Sequence, residues 1–403
     1  MDVEIESDVL VVGTGGAGLR ASIEAHENGA SVVAVSKAPA GMSNATMVAG
    51  GGFRAALEGL TPKEHFEDTL QVGNYLNDRR LLEVLTREGR IRVLELQRFG
   101  VEMRVIHARA SITPLRPPST GLGLTKPMVE YLRSKGVTLI ANVILSKLLN
   151  TREGVIGAVG YDYRNDKPVL FSSKATILAT GGAGALYKRT DCPLRTTGDG
   201  YSLAYHAGAK LRDMEFVQFV PFALAEPGFP ALLMDISFIE EGRILNRLGE
   251  NIPEKHGITV RPLYTKARGP LSIAIMREIQ AGNGVDNAVL LEAGEPIIRL
   301  LEESQWYALH PYARIMEKIG ALEKPFKIAP VCHFNMGGIV ANEDGETAVP
   351  GLFGVGEVVG GIHGANRCGG NSLTDITVFG ARVGAAAAVY ADGRELKKNK
   401  FIS

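Results

Sequence analysis

Asp8-Val9-Leu10-Val11-Val12-Gly13-Thr14-Gly15-Gly16-Ala17-Gly18 decides the fold of this chain. Its first five residues form a short apolar run of the kind that fills a buried parallel strand. A Gly-x-Gly-x-x-Gly turn follows at once, and Leu19 to Asn28 then reads as a helix closed by Gly29. Glycines at these places permit a tight turn, let backbone approach a pyrophosphate and let helix pack on strand, with the diphosphate at the helix N-terminus. Alone, the motif is a weak signal. Here a second strand, Ser31 to Val35, completes the unit, so the motif sits in the context it requires. Where an acidic residue often holds an adenosine ribose, the chain has Ser36-Lys37, which leaves NAD unsupported without excluding FAD.

Two later stretches answer the first. Ala175-Thr176-Ile177-Leu178-Ala179-Thr180-Gly181-Gly182 is a strand running into a glycine pair, preceded by a hairpin-like segment from Val155 to Tyr161. It reads either as the second part of a two-part FAD domain or as an ordinary strand-to-turn. Near the end, Gly364-Ala365-Asn366-Arg367-Cys368-Gly369-Gly370-Asn371-Ser372-Leu373 sets one arginine among small residues, with apolar runs on both sides. Small residues bring backbone N–H groups close to a flat or anionic ligand. A planar guanidinium there suits a carboxylate, which it grips bidentately.

At 403 residues with formal net charge zero, the chain can bury a large core over two domains and carries no basic footprint for nucleic acid. The first strand starts almost at Met1, so no secretory or transit segment is expected, and no apolar run is read as a bilayer span. Cys192, Cys332 and Cys368 lie far apart with no CxxC pair, which argues against a disulfide framework or a cysteine-held cluster, and no metal site is expected. The chain reads as cytoplasmic, or peripheral to a membrane through another subunit. Texture divides it: alternating strands and helices rich in glycine, then prolines and aromatics with a helical pattern over Leu271 to Gln280, then glycine-rich texture again. The expected domains are 1–217 with 334–403, a discontinuous nucleotide-binding domain, and 218–333, an inserted capping and substrate domain.

The residues resemble a known family, the flavoprotein subunits of succinate dehydrogenase and fumarate reductase, which also holds L-aspartate oxidase and adenylylsulfate reductase. The resemblance covers nearly the whole chain. Besides the first glycine turn it is carried by Ser36-Lys37, Gly50-Gly51-Gly52, Thr197-Gly198-Asp199-Gly200, Glu215 to Phe219, Cys332-His333-Phe334-Asn335-Met336-Gly337-Gly338-Ile339, Gly356-Glu357 and Gly364 to Leu373. It implies an α/β fold: a Rossmann-like, two-part FAD-binding domain interrupted by an α+β capping domain. The family's C-terminal helical domain is expected to be missing, since the chain ends about thirty residues after Leu373.

By resemblance, Gly13, Gly15, Gly16 and Gly18 hold the pyrophosphate and Ser36 with Lys37 the adenosine end. Thr46, Gly51, Gly52, Gly181, Asp199, Glu357 and Asn371 contact the cofactor, and Ser372 and Leu373 lie along the isoalloxazine. Respiratory members attach FAD through a histidine near the place of Asn44 or Ala45. No histidine lies between Gly29 and His65, so dissociable FAD is expected.

The implied chemistry is hydride transfer between flavin N5 and a carbon next to a carboxylate. Arg367 matches the carboxylate-clamping arginine, His333 its histidine partner, Arg268 the proton donor and Asp235 the acid that relays protons to it. A relay is needed because a guanidinium pKa lies above about 12. Each of these side chains also has an ordinary reading, as a satisfied core histidine or an arginine in an ion pair. Departures bear on the substrate pocket. Val220, beside Phe222, replaces a histidine that holds a second carboxylate, Met234 a threonine, and Phe238 an arginine of the relay. A buried second carboxylate would lose its partners at a cost of several kcal/mol. The expected substrate is a small carboxylate other than fumarate, with electrons exchanged through a partner subunit or carrier. Two alternatives stand beside this: an amino-acid or hydroxy-acid oxidase or dehydrogenase, and an FAD-carrying electron-transfer subunit. His107, Arg109 and His363 are read as structural.

Overall fold

The computed structural model of the protein describes residues 4–106, 109–113, 120–234, 236–295, 299 and 311–397. These fall into two compact units: 1–186, 193–217 and 335–403 in the first, 187–192 and 218–334 in the second. Sequence alone gives no reason to separate 187–192 from its neighbours. Backbone pairing supplies one, because Thr190 forms a parallel bridge with Cys332.

The first unit is built on β1 (Glu4–Val12), α1 (Gly16–Glu27) and β2 (Val32–Val35). After them come β3 (Gly52–Arg54), α2 (Pro62–Val72), α3 (Arg79–Glu95), α4 (Leu122–Ser134) and β4 (Thr138–Ile140). The antiparallel strands β5 (Val143–Thr151), β6 (Gly154–Asp162) and β7 (Lys167–Leu178) are followed by α5 (Asp199–His206). One seven-stranded sheet runs β4-β2-β1-β7-β6-β5, with β12 (Leu352–Gly354) also on β7. Its centre is parallel: β1 pairs with both β2 and β7, and β12 with β7.

β1 starts at Glu4, earlier than its apolar run. Glu4 to Ser7 pair in register with Leu170 to Ser173, so ladder hydrogen bonds extend the strand through polar residues. Alternate side chains of β1 enter different cores. Val9 and Val11 pack with α1, α3 and α4, whereas Leu10 and Val12 pack with α5 and β5 to β7. A strand buried on both faces is what its unbroken apolar run requires.

The second unit holds a four-stranded sheet ordered β8-β11-β10-β9, from β8 (Val217–Leu224), β9 (Arg243–Leu245), β10 (Val289–Glu292) and β11 (Phe326–Asn335). Helix α6 (Arg268–Gln280) packs into the same apolar core through Leu271, Ala274 and Ile275. It begins three residues before the helical pattern read from sequence. Pro270 is accommodated because the first helical turn needs no N–H donor there.

The chain's last described helix, α7 (Asn371–Ala391), belongs to the first unit and packs along α1. By length and composition it could cross a membrane, against the expectation of no bilayer span, but 72% of its most apolar stretch is buried inside the protein. Its small side chains fit a helix enclosed by neighbours: Val378, Ala381, Val383 and Ala387 are all fully buried.

Candidate active site

The loop from β1 to α1 is shaped by steric necessity. Gly13 has φ +108°, and a Cβ there would lie 2.2 Å from the carbonyl oxygen of Ala179; at Gly18 it would lie 1.9 Å from that of Gly13. Only glycine allows β1, β7 and α1 to meet this closely. Gly15, the N-cap of α1, supplies no side-chain cap, while the Gly16 N–H donates to Thr46 Oγ1 at 3.1 Å. An α-helix with this N-terminus presents backbone donors and the positive end of its dipole, which suits a diphosphate.

At the end of β2, the Ser36 hydroxyl accepts from Thr14 Oγ1 and donates to the Ala38 carbonyl, so it is engaged within the loop. Lys37 forms an ion pair with Asp199 and donates to Thr197 Oγ1, which in turn donates to Asp199. The glycines after β7 sit against the same region. The Gly198 N–H donates to the Gly182 carbonyl, the Ala183 N–H to Asn335 Oδ1, and the Asn335 N–H to Glu357 Oε1. Short hydrogen-bonded links thus fix the glycine pair, the Asp199 turn and Glu357 within the first unit.

Residues 361–370 approach α7 from a loop clamped by the turn between α2 and α3. The Asp78 N–H donates to Gly361 O, Asn77 Nδ2 to Ile362 O, and the Ala365 N–H to Gly73 O. Arg367 is only 5% exposed, and its guanidinium donates to Ser372 Oγ at 3.3 Å and the Cys368 carbonyl at 3.4 Å. Nearby, His363 Nε2 is 3.4 Å from Asp375 Oδ2, both buried. Burial holds the His363 imidazole below its usual pKa; Asp375 opposes this and the Arg367 charge adds to it.

Asn371 opens α7 and is fully buried. Its Oδ1 meets His65 Nε2 at 2.8 Å and its Nδ2 donates to Thr69 Oγ1, so its side chain ties α7 to α2, while its backbone N–H donates to Cys368 O at 3.2 Å. The Arg54 N–H donates to Gly370 O, which brings Gly51, Gly52 and β3 to the head of α7. Leu373 is 5% exposed and packs in the first unit's core.

In the second unit, His333 lies near the end of β11 with Nδ1 2.7 Å from Asp191 Oδ2. Arg268 is the first residue of α6, at the positive end of the helix dipole. That helix is pinned by Glu278, which accepts from Asn246, His256, Lys255 and Asn283. Burial works to raise the Glu278 pKa, but these donors outweigh it and bring it down to about 2. Val220, Phe222 and Met234, expected in a substrate pocket, are at most 2% exposed and belong to the packed apolar core of this unit, together with Phe238. Alternation along β8 puts Val220, Phe222 and Leu224 on its core face. Asp235 and His107 lie outside the described residues.

Each unit therefore gathers its own share of the predicted residues. The glycine turn, Thr46, Asp199, Glu357, Arg367 and the head of α7 lie in the first; His333 and Arg268 lie in the second. Sequence reasoning passed over Asp191, His65 and Thr69. None sits in a glycine-rich or otherwise marked stretch, and each is joined to its partner by a tertiary contact alone.

The FAD binding domain family matches residues 8–373. The chain is similar to an uncharacterized FAD-dependent oxidoreductase of Methanocaldococcus jannaschii, 33% identical over 97% of this chain and 74% of the relative. It is also similar to a fumarate reductase (CoM/CoB) subunit of Methanothermobacter marburgensis, 35% identical over 95% of this chain and 72% of the relative. Among solved structures it resembles E. coli quinol fumarate reductase FrdA, with a TM-score of 0.85 and 27% identity over 99% of this chain and 72% of that one. A glycine cradle fitted to a dinucleotide, and likeness along nearly the whole chain, make this protein a member of the FAD binding domain family, an FAD-dependent oxidoreductase of the fumarate reductase and succinate dehydrogenase flavoprotein type.

Proposed function

We propose that this chain exchanges hydride between FAD and the β-carbon of a small unsaturated acid carrying a single carboxylate. The observation that carries this reading is Arg367, a nearly buried guanidinium beside Ser372 at the head of a 21-residue helix whose N-cap, Gly370, provides no side-chain cap. A guanidinium shielded from water attracts a carboxylate more strongly than an exposed one does, and its planar fork matches the two oxygens.

Bound FAD supplies the hydride donor or acceptor. Gly13, Gly15, Gly16 and Gly18 hold its diphosphate, with Thr46 bracing the turn. Ser36, Lys37 and Asp199 serve the adenosine end; Gly51, Gly52, Gly181, Glu357, Asn371, Ser372 and Leu373 serve the rest. Arg367 holds the substrate carboxylate and neutralises the charge that builds on it as the β-carbon takes the hydride; His333 is read as a carboxylate-binding group in its own right. Arg268 hands over the proton and Asp235 restores it. A cation at the N-terminus of α6 opposes the helix dipole by about 0.3–1 kcal/mol, so stability alone does not select it. No polar or charged side chain stands at Val220, Met234 or Phe238, which supports a substrate whose far end is not a carboxylate. Electrons pass to or from a partner protein, as the naming of the Methanothermobacter relative as one subunit of a reductase suggests.

The test is anaerobic. Protein reduced with dithionite is mixed with fumarate, crotonate, cinnamate and urocanate while flavin absorbance is followed. Reoxidation by a monocarboxylate should exceed that by fumarate at least tenfold and vanish in Arg268→Ala. Fumarate as the fastest acceptor would overturn the single-carboxylate reading. Silence across the panel, with normal FAD content, would move the assignment to amino-acid or hydroxy-acid oxidation or to an FAD-carrying electron-transfer subunit.

A further inference from the structure

The segment 187–192 leaves the first unit's run of sequence to pair with the end of β11. The Cys332 N–H donates to Arg189 O at 2.9 Å, the Asp191 N–H to Cys332 O at 3.3 Å, and Thr190 Oγ1 to the same carbonyl at 3.0 Å. The Cys192 N–H then donates to Thr190 Oγ1 at 3.0 Å. Those bonds fix where the Asp191 side chain starts, and its carboxylate meets His333 Nδ1 at 2.7 Å. The two side chains are 14% and 26% exposed, so the pair is neither a loose surface contact nor sealed in the core.

An ionised carboxylate only accepts hydrogen bonds, so the ring nitrogen facing it carries the proton. That settles the character of the other nitrogen. A neutral ring protonated on Nδ1 has a lone pair on Nε2, which repels a carboxylate; a doubly protonated ring has an N–H there, which attracts one. With a carboxylate fixed on Nδ1, the doubly protonated ring is the form able to bind a substrate carboxylate through Nε2. An exposed ion pair between flexible side chains would count for little, but here backbone pairing holds one partner in place.

We propose that Asp191 is a positioning residue for His333: it keeps a proton on Nδ1, fixes the ring plane and presents Nε2 to the substrate carboxylate as an N–H donor. This rests on the reading of His333 as a carboxylate-binding group. It adds a residue to that site which no glycine-rich motif marks.

The test uses FAD-loaded, oxidised protein labelled with [15N]histidine, with His333 assigned among the eight histidines by the signal lost in His333→Gln. Wild type should show His333 protonated on both ring nitrogens. Asp191→Asn should shift that nitrogen signature and weaken crotonate binding, followed through flavin absorbance, at least tenfold, with FAD content and melting temperature unchanged. A His333 that lacks a proton on either ring nitrogen in the wild type overturns the proposal, and this holds even if Asp191→Asn fails to fold. So does a crotonate affinity within twofold of wild type in Asp191→Asn, whether or not the nitrogen signals move. If wild type itself does not bind crotonate, the single-carboxylate reading of the substrate fails, and the nitrogen signals alone decide whether Asp191 governs the ring.

Discussion

His65 is fully buried on α2, and its Nε2 lies 2.8 Å from Asn371 Oδ1, so a neutral ring donating from Nε2 matches its partner. Burial brings its pKa down to about 4; the bond to Asn371 works against that shift, and the nearby Arg54 charge adds to it. In the unfolded chain the same ring titrates near 6.5. Between these values only the unfolded state binds the proton, so stability is fully present above about pH 6.5 and is lost as the pH falls toward 4. The loss is on the order of 3 kcal/mol. His65→Gln keeps a donor for Asn371 without a titrating ring, and its unfolding free energy should fall less than that of wild type between pH 7 and pH 4. Parallel curves for the two proteins would show that His65 is not kept neutral.

Helices α1 and α7 come from opposite ends of the chain and make the largest helix–helix contact in the first unit. Their approach sets the cofactor turn, because Ile376 on α7 packs against Gly16 at the start of α1. About two turns farther along, a Cβ at Gly384 would lie 2.3 Å from the Ala21 carbonyl oxygen, with Glu24 close behind. Gly384→Val should therefore pry the helices apart, costing about 1–3 kcal/mol as overpacked cores do. It should also lower FAD occupancy, although residue 384 lies more than about three turns from the head of α7. Val389, on the same helix but 72% exposed, serves as the control: Val389→Ser should leave both stability and flavin content near wild type. Full flavin content in Gly384→Val would mean that the turn at Gly13 to Gly18 holds its shape without α7. The small-residue composition of α7 is thus a packing requirement, which is also why its apolar length signifies a core helix.

At the scale of the molecule, the legible part of the sequence was what backbone geometry forces on it. Gly13 and Gly18 must be glycine where strand and helix meet this closely, so the nucleotide turn could be read before any contact was known. The same holds for the small residues around Arg367. Asp191 and His65 could not be read, because their positions follow from pairing with Cys332 and Asn371, more than 140 residues away along the chain. The apolar burial of Val220 and Met234 was likewise invisible, since a side chain lost from one surface can gain a place in a core. Attachment of FAD lies between these cases. The sequence offers no histidine near Asn44, and in the folded protein Asn44 caps the short helix Ala45–Val48 through the Met47 N–H. His65, the next histidine along, is fully buried with its Nε2 on Asn371, and the three cysteines are buried as well. We therefore expect FAD held without a covalent bond: acid precipitation should release a yellow supernatant and leave a white pellet. Added FAD should then raise the melting temperature of the apoprotein in a concentration-dependent way, by about 2.7 kcal/mol of stability at a hundredfold excess over Kd. Colour retained in the pellet would require a nucleophile that reaches the flavin. It would also remove the concentration dependence, since a tethered ligand cannot be titrated.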